Sequence, residues 1–547
     1  MLFERSIIYD AIYDALVYNN LTNRLIYGKI YSAQSRRCAS IKTGEECLFM
    51  KLNYKRTIFV GFAFFLISAF WQAYDAIVPL ILTNHFGLPQ SVSGVVMSVD
   101  NILAVFMLPL FGALSDKIMT RYGKRTPFIV VGTVAAVLAF ITLTLIDTVQ
   151  LSAILDSGIN ERYAYAADLL KSANENLKEA GKAGNAMALE AAQSLVDTAN
   201  KMIDAIIADT LEITLSNIWP LIAFIGVLLL VLIAMATFRS PAVALMPDVT
   251  VKPLRSKGNA IINLMGTAGG ILVLVLGMIF NTSGNKYMQY TWYVIAVCGI
   301  MVGGLAIFIT TVKERKWAAE MEEDTKRLGL EEAPVTDEGE KRSLSRGELK
   351  SLFLILASVA LWYIGYNSIT SKYSVYATNV LFFDFNFTLI IAQAAAVVAY
   401  IPVGIVASKI GRRKTILFGI TMLATAFLIG NFISFDTPEF IMYPIFILAG
   451  IGWATINVNS FPMVVELAKG GEVGKYTGYY YTASMAAQIV APILSGFLYD
   501  IIGMRYVFFA FGTVFVALSF VTMLFVKHGD AVPEATGALE ALGGADD

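Results

Sequence analysis

Arg239-Ser-Pro-Ala-Val-Ala-Leu-Met-Pro-Asp248, followed by Lys257, has a counterpart in Asn457-Val-Asn-Ser-Phe-Pro-Met-Val-Val-Glu466, followed by Lys475. The two acids and the two lysines are each 218 residues apart (248 to 466, 257 to 475). Each stretch ends a long apolar segment with a proline-containing turn, an acid and a lysine, and then opens an apolar segment rich in Gly, Ala and Ser. A duplicated membrane protein is the simplest explanation.

The composition is also that of a membrane protein. Of the 547 residues, 57% are hydrophobic and 15% are charged, and the mean hydropathy is +0.65. Polar side chains are therefore too few to cover a water-soluble protein of this length. The net charge of −1 argues against nucleic acid as a partner. Three cysteines, two histidines and the lack of catalytic motifs predict no metal, no cofactor and no enzymatic activity.

Twelve apolar stretches are long enough to cross a bilayer as helices of about 20 residues. They begin near residues 57, 91, 127, 217, 258, 290, 350, 387, 415, 440, 476 and 506. Lysine and arginine cluster in every second loop, for example in 117–125 and 409–414. Because such loops stay in the cytoplasm, we expect both termini there, in a multi-pass protein of the plasma (cell inner) membrane.

These spans predict an all-α membrane protein with twelve transmembrane helices in two pseudo-symmetric six-helix bundles. The bundles cover 50–312 and 350–527, with a charged cytoplasmic linker over 313–349 and a cytoplasmic tail over 528–547. Residues 1–49 contain no long apolar run, and two explanations stay open for them. They are either an upstream segment that is not translated in the cell, with Met50 as the true start, or a cytoplasmic amphipathic extension.

A second repeated pair locates an insertion. Gly112-Ala-Leu-Ser-Asp116 with Tyr122-Gly-Lys-Arg125 matches Gly404-Ile-Val-Ala-Ser408 with Gly411-Arg-Arg-Lys414, at a spacing of 288 residues (123 to 411) instead of 218. The first half therefore holds about 70 extra residues, which correspond to an Ala-, Glu-, Lys- and Leu-rich segment over 151–215. Its helical periodicity predicts two or three amphipathic helices outside the cytoplasm. They form either a surface elaboration that caps the bundle or a lid or docking surface.

The loop motifs resemble those of the major facilitator superfamily, whose members alternate access between two such bundles. The glycine, acid and basic residues after span two match the motif of that superfamily, and the second copy has Ser408 in place of Asp116. The gating residues that this pattern implies are Gly112, Asp116, Gly123, Arg125, Asp248, Gly411, Arg412, Arg413 and Glu466. A plain positively charged loop is the alternative explanation.

Three further stretches are similar to motifs of glycoside-cation symporters and sucrose-proton symporter-like proteins: Arg121-Tyr-Gly-Lys-Arg-Thr-Pro127, Pro241-x-x-x-Leu-x-Pro247 and Gly450-Ile-Gly-Trp-Ala-Thr-Ile-Asn457. The resemblance covers about 50–527 except the insertion. The sodium-coupled melibiose permeases carry two acids on span two, where this chain has Ala104 and Leu108. The resemblance therefore implies sugar transport without that sodium site.

Ionisable residues inside apolar spans are costly and so mark functional sites. Asp75 and Asp100 are the proton-coupling candidates, because burial favours the neutral carboxyl that a proton carrier requires. A permanent ion pair with Arg239 or Lys372 is the structural alternative. Arg239 either binds substrate or a counter-ion, or extends to the membrane interface.

Sugar sites combine aromatic faces with amides and hydroxyl groups. The substrate-binding candidates are Trp71, Gln72, Tyr74, Asn101, Arg239, Trp362, Tyr366, Asn367, Gln393, Trp453, Asn457 and Gln488. Any single tryptophan or tyrosine among them is also compatible with an anchor at the membrane interface.

The sequence thus predicts a monomeric secondary transporter that imports a sugar or glycoside together with a proton through the lipid bilayer. Two rivals stay open. One is an exporter or antiporter of another small solute, and the other is a transport-inactive sensor whose outer insertion binds a partner.

Overall fold

The computed structural model describes residues 52–327, 345–467 and 473–529. The extension predicted over 1–49, the middle of the predicted linker and all but the first two residues of the predicted tail lie outside these ranges. The described chain is almost entirely helical.

We number the fifteen long helices of the described residues in chain order. They are α1 (Tyr54–Leu80), α2 (Gln90–Lys117), α3 (Thr126–Asp156), α4 (Ile159–Ala183), α5 (Ala186–Ser216), α6 (Trp219–Asp248), α7 (Arg255–Ile279), α8 (Thr291–Thr311), α9 (Glu314–Arg327), α10 (Arg346–Thr370), α11 (Phe385–Ile410), α12 (Arg412–Gly430), α13 (Met442–Val465), α14 (Val473–Leu498) and α15 (Met504–Leu524).

Eleven helical segments in the described ranges are long and apolar enough to cross a membrane. The last of them, Lys475–Leu524, has 50 residues and would be about 75 Å long as one helix, more than twice the thickness of the hydrocarbon core. It contains two helices, α14 and α15, which are separated by a turn in which Gly503 has a φ of 100°. The predicted all-α fold with twelve membrane-spanning helices is therefore confirmed.

The spans pack as two groups of six. In the first half, α1 packs on α7, and α3 and α2 pack on α6; in the second half, α12 and α11 pack on α13, and α10 packs on α15 and α14. Glycine permits some of these close approaches. A Cβ at Gly132 would lie 2.7 Å from the Phe238 side chain, so α3 and α6 could not come as near with a larger residue there.

Helices α4 and α5 occupy the inserted segment and pack on the first half. Gly87, with a φ of 63°, lets the loop after α1 approach the backbone of α5, because a Cβ there would lie 2.7 Å from the Leu211 nitrogen. The Gln150 amide donates to the backbone oxygen of His85 and to the Thr214 hydroxyl, which ties α3 and α5 to the same loop. The insertion is thus anchored to the first half.

A buried lysine lies under the insertion, in the loop between α7 and α8. The Lys286 ammonium is 4.6 Å from the centre of the Tyr163 ring, and only 5% of the residue is exposed. Burial lowers the pKa of Lys286 to about 8. The tyrosine ring face partly compensates the loss of hydration of this cation.

We call the end of the bundle that carries Lys124, Asp248 and Arg412 the basic side, and the end that carries α4 and α5 the insertion side. On the basic side, the sequence predicted that the charged segment after α8 is a solvated linker. The beginning of this segment is instead partly buried. Glu314 is buried, and its carboxylate accepts hydrogen bonds from the backbone nitrogens of Lys124, Arg125 and Thr126 and from the Thr126 hydroxyl. It caps α3, because the first backbone N–H groups of a helix have no partner within it.

Replacing Glu314 with alanine should lower the stability of the protein by about 2 kcal/mol or more, because buried N–H groups lose a charged acceptor. The measurement is the apparent unfolding temperature of the purified protein in detergent. Glu322→Ala on the same helix is the matched control, because Glu322 is exposed and its ion pair among the described residues is with Lys326 one turn away. Equal unfolding temperatures for both variants would contradict the capping role.

Candidate transport site

The predicted gating residues form two clusters on the basic side. Arg125 binds Asp248 through Nε at 2.8 Å and also contacts the Asp116 carboxylate and the Ser115 hydroxyl. The Gly112 backbone oxygen accepts a further hydrogen bond from Arg125 at 3.4 Å. The motif after span two thus joins the ends of α2, α3 and α6.

Gly123 has a positive φ, 121°, and lies against the Glu314 carboxylate. A Cβ at this position would lie 2.2 Å from the Glu314 Cδ atom, so glycine is needed both for the turn and for the cap. The motif thus makes specific contacts with Glu314, Asp116 and Asp248 in addition to carrying positive charge.

The second copy has its own ion pair. Arg412 binds Glu466 at 2.9 Å, and Arg413 donates to the backbone oxygens of Met523 and Leu524 at the end of α15. Gly411, with a φ of 91°, forms the turn between α11 and α12. The two halves therefore repeat the arrangement in which a loop arginine binds the acid at the end of the fourth span of each bundle.

The two halves contact each other on the insertion side. The Asp500 carboxylate, after α14, accepts hydrogen bonds from the backbone nitrogens of Gln90 and Ser91 at the start of α2, at 2.7 and 2.8 Å. The buried Lys372 ammonium donates to the Ser93 hydroxyl. The Gly94 backbone lies against Pro492, where a Cβ would be 2.1 Å from the carbonyl oxygen. These contacts join α2 to α14 and to the loop after α10.

Deeper in the molecule, a cavity of about 700 Å³ lies between the halves. Helices α1, α6 and α7 of the first half and α10, α11 and α13 of the second half contribute to its wall. Eight of the predicted site residues line it: Trp71, Gln72, Asp75, Arg239, Tyr366, Asn367, Gln393 and Trp453. The structure thus brings together residues that lie up to 382 positions apart in the sequence (71 to 453).

Other candidates do not line this cavity. Tyr74 is fully buried inside the first half, where it stacks on Phe70, and Trp362 is fully buried inside the second half. Asn101 donates to the neighbouring Asp100 carboxylate, and Gln488 donates to the backbone oxygen of Ser484. Asn457 is half-buried on α13, one turn beyond Trp453.

Aromatic and amide side chains meet in the cavity as the sequence predicted for a sugar site. The Tyr366 and Trp453 rings are stacked with centroids 3.7 Å apart and planes within 7° of each other. The Gln393 amide donates to the Gln72 carbonyl oxygen at 2.6 Å, which joins α11 to α1 across the cavity. The Arg239 guanidinium lies over the Trp71 ring, 5.7 Å from its centroid.

The two proton-coupling candidates have different surroundings. Asp75 is exposed to the cavity, and its backbone oxygen lies 3.5 Å from the Ser374 hydroxyl of the second half. Asp100 is half-buried and accepts a hydrogen bond from Asn101 at 2.8 Å. It lines a small side cavity with Trp71 and Arg239, next to the main one. Asp75 therefore has direct access to the main cavity. Asp100 lines only the side cavity, and Arg239 lines both.

The sequence did not identify every polar residue in the wall. Asn263 and Thr267 of α7, Ser68 of α1 and Tyr400 of α11 also line the cavity. Asn263 and Thr267 are one turn apart in an apolar span, and this spacing is the signal that would have identified them.

In the described ranges, no three His, Cys, Asp or Glu side chains converge as metal ligands. Ala104 and Leu108 line the side cavity with Asp100 and Arg239.

Comparisons with known proteins agree with this architecture. A family model described as "MFS/sugar transport protein" matches residues 59–152, and one described as "Major Facilitator Superfamily" matches residues 378–543. A proton-associated sugar transporter A of Homo sapiens is 26% identical over 147 residues, which is 23% of this chain and 20% of that protein. An MFS-type transporter of Metarhizium rileyi is 29% identical over 114 residues, which is 21% of this chain and 23% of that protein. The chain thus matches less than a quarter of the length of each relative.

Solved structures show the fold over most of the chain. The xylose transporter of E. coli in an inward-open conformation is 11% identical, with a TM-score of 0.55 over 87% of this chain and 97% of that one. A bacterial homologue of the iron transporter ferroportin in an inward-facing state is 11% identical, with a TM-score of 0.54 over 87% of this chain and all of that one.

Twelve membrane-spanning helices in two halves around a central cavity that polar and aromatic residues help to line are the architecture of a secondary transporter. Family models of the major facilitator superfamily match a segment in each half, and the chain has the fold of that superfamily.

Proposed function

We propose that the protein transports a sugar or glycoside together with a proton by alternating access. The single observation that carries this proposal is the cavity between the halves, which is lined by the stacked Tyr366 and Trp453 rings, the Gln72 and Gln393 amides and Asp75. The match of residues 59–152 to a sugar-transport family supports the substrate class. The similarity to a proton-associated sugar transporter supports the coupling ion.

Each group in the wall has a role in this proposal. The exposed faces of the aromatic rings stack against the apolar faces of a sugar ring, while the amides exchange hydrogen bonds with its hydroxyls. Asp75 takes up and releases the proton, because its carboxyl lines the main cavity. Both halves thus contribute contacts to the substrate. Because these contacts are completed only when the halves close, the substrate stabilises the closed arrangement.

The conformation fits one state of the transport cycle. The halves are joined on the insertion side by Asp500, Lys372 and the Gly94 contact. If the basic side faces the cytoplasm, as the distribution of Lys and Arg favours, this is an inward-facing state. The similar structures in inward-open and inward-facing states support this orientation. Transport then requires these contacts to break while the basic side closes.

Uptake into proteoliposomes tests the function. The purified full chain is reconstituted, and labelled mono- and disaccharides are offered under an imposed proton gradient, with a sodium gradient and a protonophore as comparisons. Accumulation that requires the proton gradient and stops with the protonophore is the expected result. Accumulation driven by sodium alone would contradict the coupling ion, and failure to take up or bind any saccharide would contradict the substrate class.

Replacing Trp453 with alanine should weaken saccharide binding about tenfold, because the ring contact contributes ~1.5 kcal/mol. Trp453→Phe retains a ring and should keep most of the affinity. Trp292→Ala, which removes a largely exposed tryptophan from α8, is the matched control. The measurement is the dissociation constant of the best transported saccharide in detergent, and equal affinities for the two alanine variants would exclude Trp453 from the site.

A further inference from the structure

We propose that Lys372 is a second protonation site of this protein, and that a proton taken up there from the insertion side opens the two halves on that side. Lys372 lies in the loop after α10 and belongs to the second half. Its contact with α2 and those of Asp500 and Gly94 form what we call the insertion-side gate. The inference goes beyond the proposed function, because this proton controls the gate and is not carried across the membrane.

Lys372 is buried where the two halves meet. The residue is fully buried, and its ammonium donates to the hydroxyl of Ser93 on α2 of the first half. The adjoining Gly94 packs on the backbone of Pro492, so α2 and α14 touch in this region. Because Ser93 and Lys372 belong to different halves, separation of the halves removes this cover and exposes the lysine to water. The surroundings of Lys372 therefore change each time the gate opens.

In the closed gate the ammonium has no direct anionic partner. Among the described residues no carboxylate lies within ion-pair distance of Lys372, and Asp500 attracts it from further away. The two Asp500 oxygens accept hydrogen bonds from the Gln90 and Ser91 backbone nitrogens at 2.7 and 2.8 Å. These N–H groups carry the partial positive charge of the α2 N-terminus, which repels an ammonium nearby. A neutral amine avoids both this repulsion and the cost of a buried charge.

The hydroxyl of Ser93 suits both forms of the lysine. It accepts a hydrogen bond from the ammonium and can donate one to the lone pair of the amine, so loss of the proton leaves no buried polar group unpaired. Burial lowers the pKa of Lys372 to about 7, although Asp500 raises it. When the halves separate, water surrounds the nitrogen and the pKa returns towards the ~10.4 that is usual for lysine.

The sign of the pH effect follows from these two environments. The closed gate holds fewer protons than the open one, so its population rises with pH. Above the pKa of about 7 and up to about pH 10, closing releases a proton, and the ratio of closed to open protein grows about tenfold per pH unit. Below pH 7 the lysine is charged in both conformations, and this dependence is lost. The proton comes from water on the insertion side and returns to it, so acid on that side favours opening.

Other titratable groups lie on the elements around this loop. They are Asp75 of α1, Asp500 of the turn after α14, Arg505 at the start of α15, and Tyr373, Tyr376 and Tyr499. Carboxyl and guanidinium groups usually titrate well outside the range from pH 7 to 10, and burial raises the pKa of Tyr376 to about 12. The other buried lysine in the described ranges with a lowered pKa is Lys286, which lies under the insertion.

The test measures the gate directly and needs no substrate. Spin labels at the partly exposed Val92 and Ile501, on a background without native cysteines, report the distance between the halves on the insertion side. The full chain in lipid nanodiscs is titrated from about pH 6.5 to about pH 9.5, which brackets the range in which the two environments differ. We expect the ratio of the short to the long distance to rise about tenfold per pH unit above pH 7. The same rise is expected in Asp75→Asn, in which the proposed coupling carboxyl no longer titrates.

Two substitutions of the lysine isolate its contribution. Lys372→Met has a similar length and no charge, so the gate should stay closed with a ratio that varies less than about twofold over the titration. Lys372→Arg keeps its charge, so the open form should dominate with an equally flat response. Lys286→Met makes the same chemical change at the other buried lysine and is the matched control, which should respond like the unchanged protein. Each variant is first shown to be monodisperse, and either lysine variant suffices if the other does not fold.

Three outcomes would overturn the inference. They are a distance ratio that does not vary with pH in the unchanged protein, a pH response that survives in the Lys372 variants, and a response that is lost in Lys286→Met. Saccharide uptake into proteoliposomes is measured separately on the same preparations. A pH-responsive gate without uptake of any saccharide would contradict the proposed function and leave this inference intact, whereas proton-driven uptake with a gate that ignores pH would do the reverse.

Discussion

Asparagine in place of Asp75 should abolish proton-driven accumulation of substrate in proteoliposomes, while exchange of labelled for unlabelled substrate continues. The Asp75 side chain is exposed to the cavity, between Trp71 and Gln72 of its own helix and the wall of the second half. An amide has nearly the shape of the carboxyl but does not release a proton at physiological pH. Binding and the conformational change then persist without the coupling step. Uptake measured with a proton gradient, compared with counterflow without one, separates the two effects.

Asp324→Asn is the matched control for this prediction, because it makes the same chemical change at an exposed position on α9. We expect it to accumulate substrate like the unchanged protein. Asp100→Asn tests the second candidate for the proton site, since Asp100 lines the side cavity together with Arg239. If Asp75→Asn accumulates substrate fully and Asp100→Asn does not accumulate it, the proton site is Asp100 on α2. Full accumulation in both variants would exclude a single essential carboxyl.

The fold was predictable because its signals are local. A helix that crosses lipid needs about 20 apolar residues, and such runs are visible without knowledge of their neighbours. The repeat between Asp248 and Glu466 located corresponding spans in the two halves, and in the structure each acid pairs with an arginine of its own half. The role of Glu314 was not predictable, because its partners are backbone groups nearly 190 residues away. In the sequence this acid is one charge in a charged segment.

The cavity was predictable only in part, because the sequence does not show the rotation of each helix. Successive residues of a helix are about 100° apart, so Trp71, Gln72 and Asp75 share an arc of roughly 100° that faces the cavity. Tyr74 lies about 60° outside this arc and packs on Phe70 instead. Trp362 and Tyr366 are one turn apart on α10, yet only Tyr366 reaches the cavity and Trp453. Polar and aromatic residues at membrane depth thus indicated the right helices more reliably than the right residues.

Alanine in place of Gly94 should shift the protein away from the conformation described here and slow transport at least tenfold. A Cβ at this position would lie 2.1 Å from the Pro492 carbonyl oxygen and 2.8 Å from its carbon, and both atoms belong to the backbone of the opposite half. Neither atom can move alone, so α2 and α14 must separate on the insertion side. Overlaps of this kind cost ~2 kcal/mol, which changes the ratio of two conformations about 30-fold. The measurement is the distance between spin labels at Val92 and Ile501, on a background without native cysteines, and we expect it to lengthen.

Helix propensity alone predicts the opposite effect of this substitution on stability. Alanine favours a helix over glycine by about 1 kcal/mol, so a local effect on α2 alone would stabilise the protein. Gly226→Ala on α6 is the control, because a Cβ there meets nothing within 4 Å. It should gain the same local stability with no change in the distance between the labels or in transport. If Gly94→Ala instead behaves like Gly226→Ala in both measurements, the contact between α2 and α14 does not determine the population of this conformation. The closed insertion side must then depend on Asp500 and Lys372, whose hydrogen bonds across the same interface do not involve the Gly94 backbone.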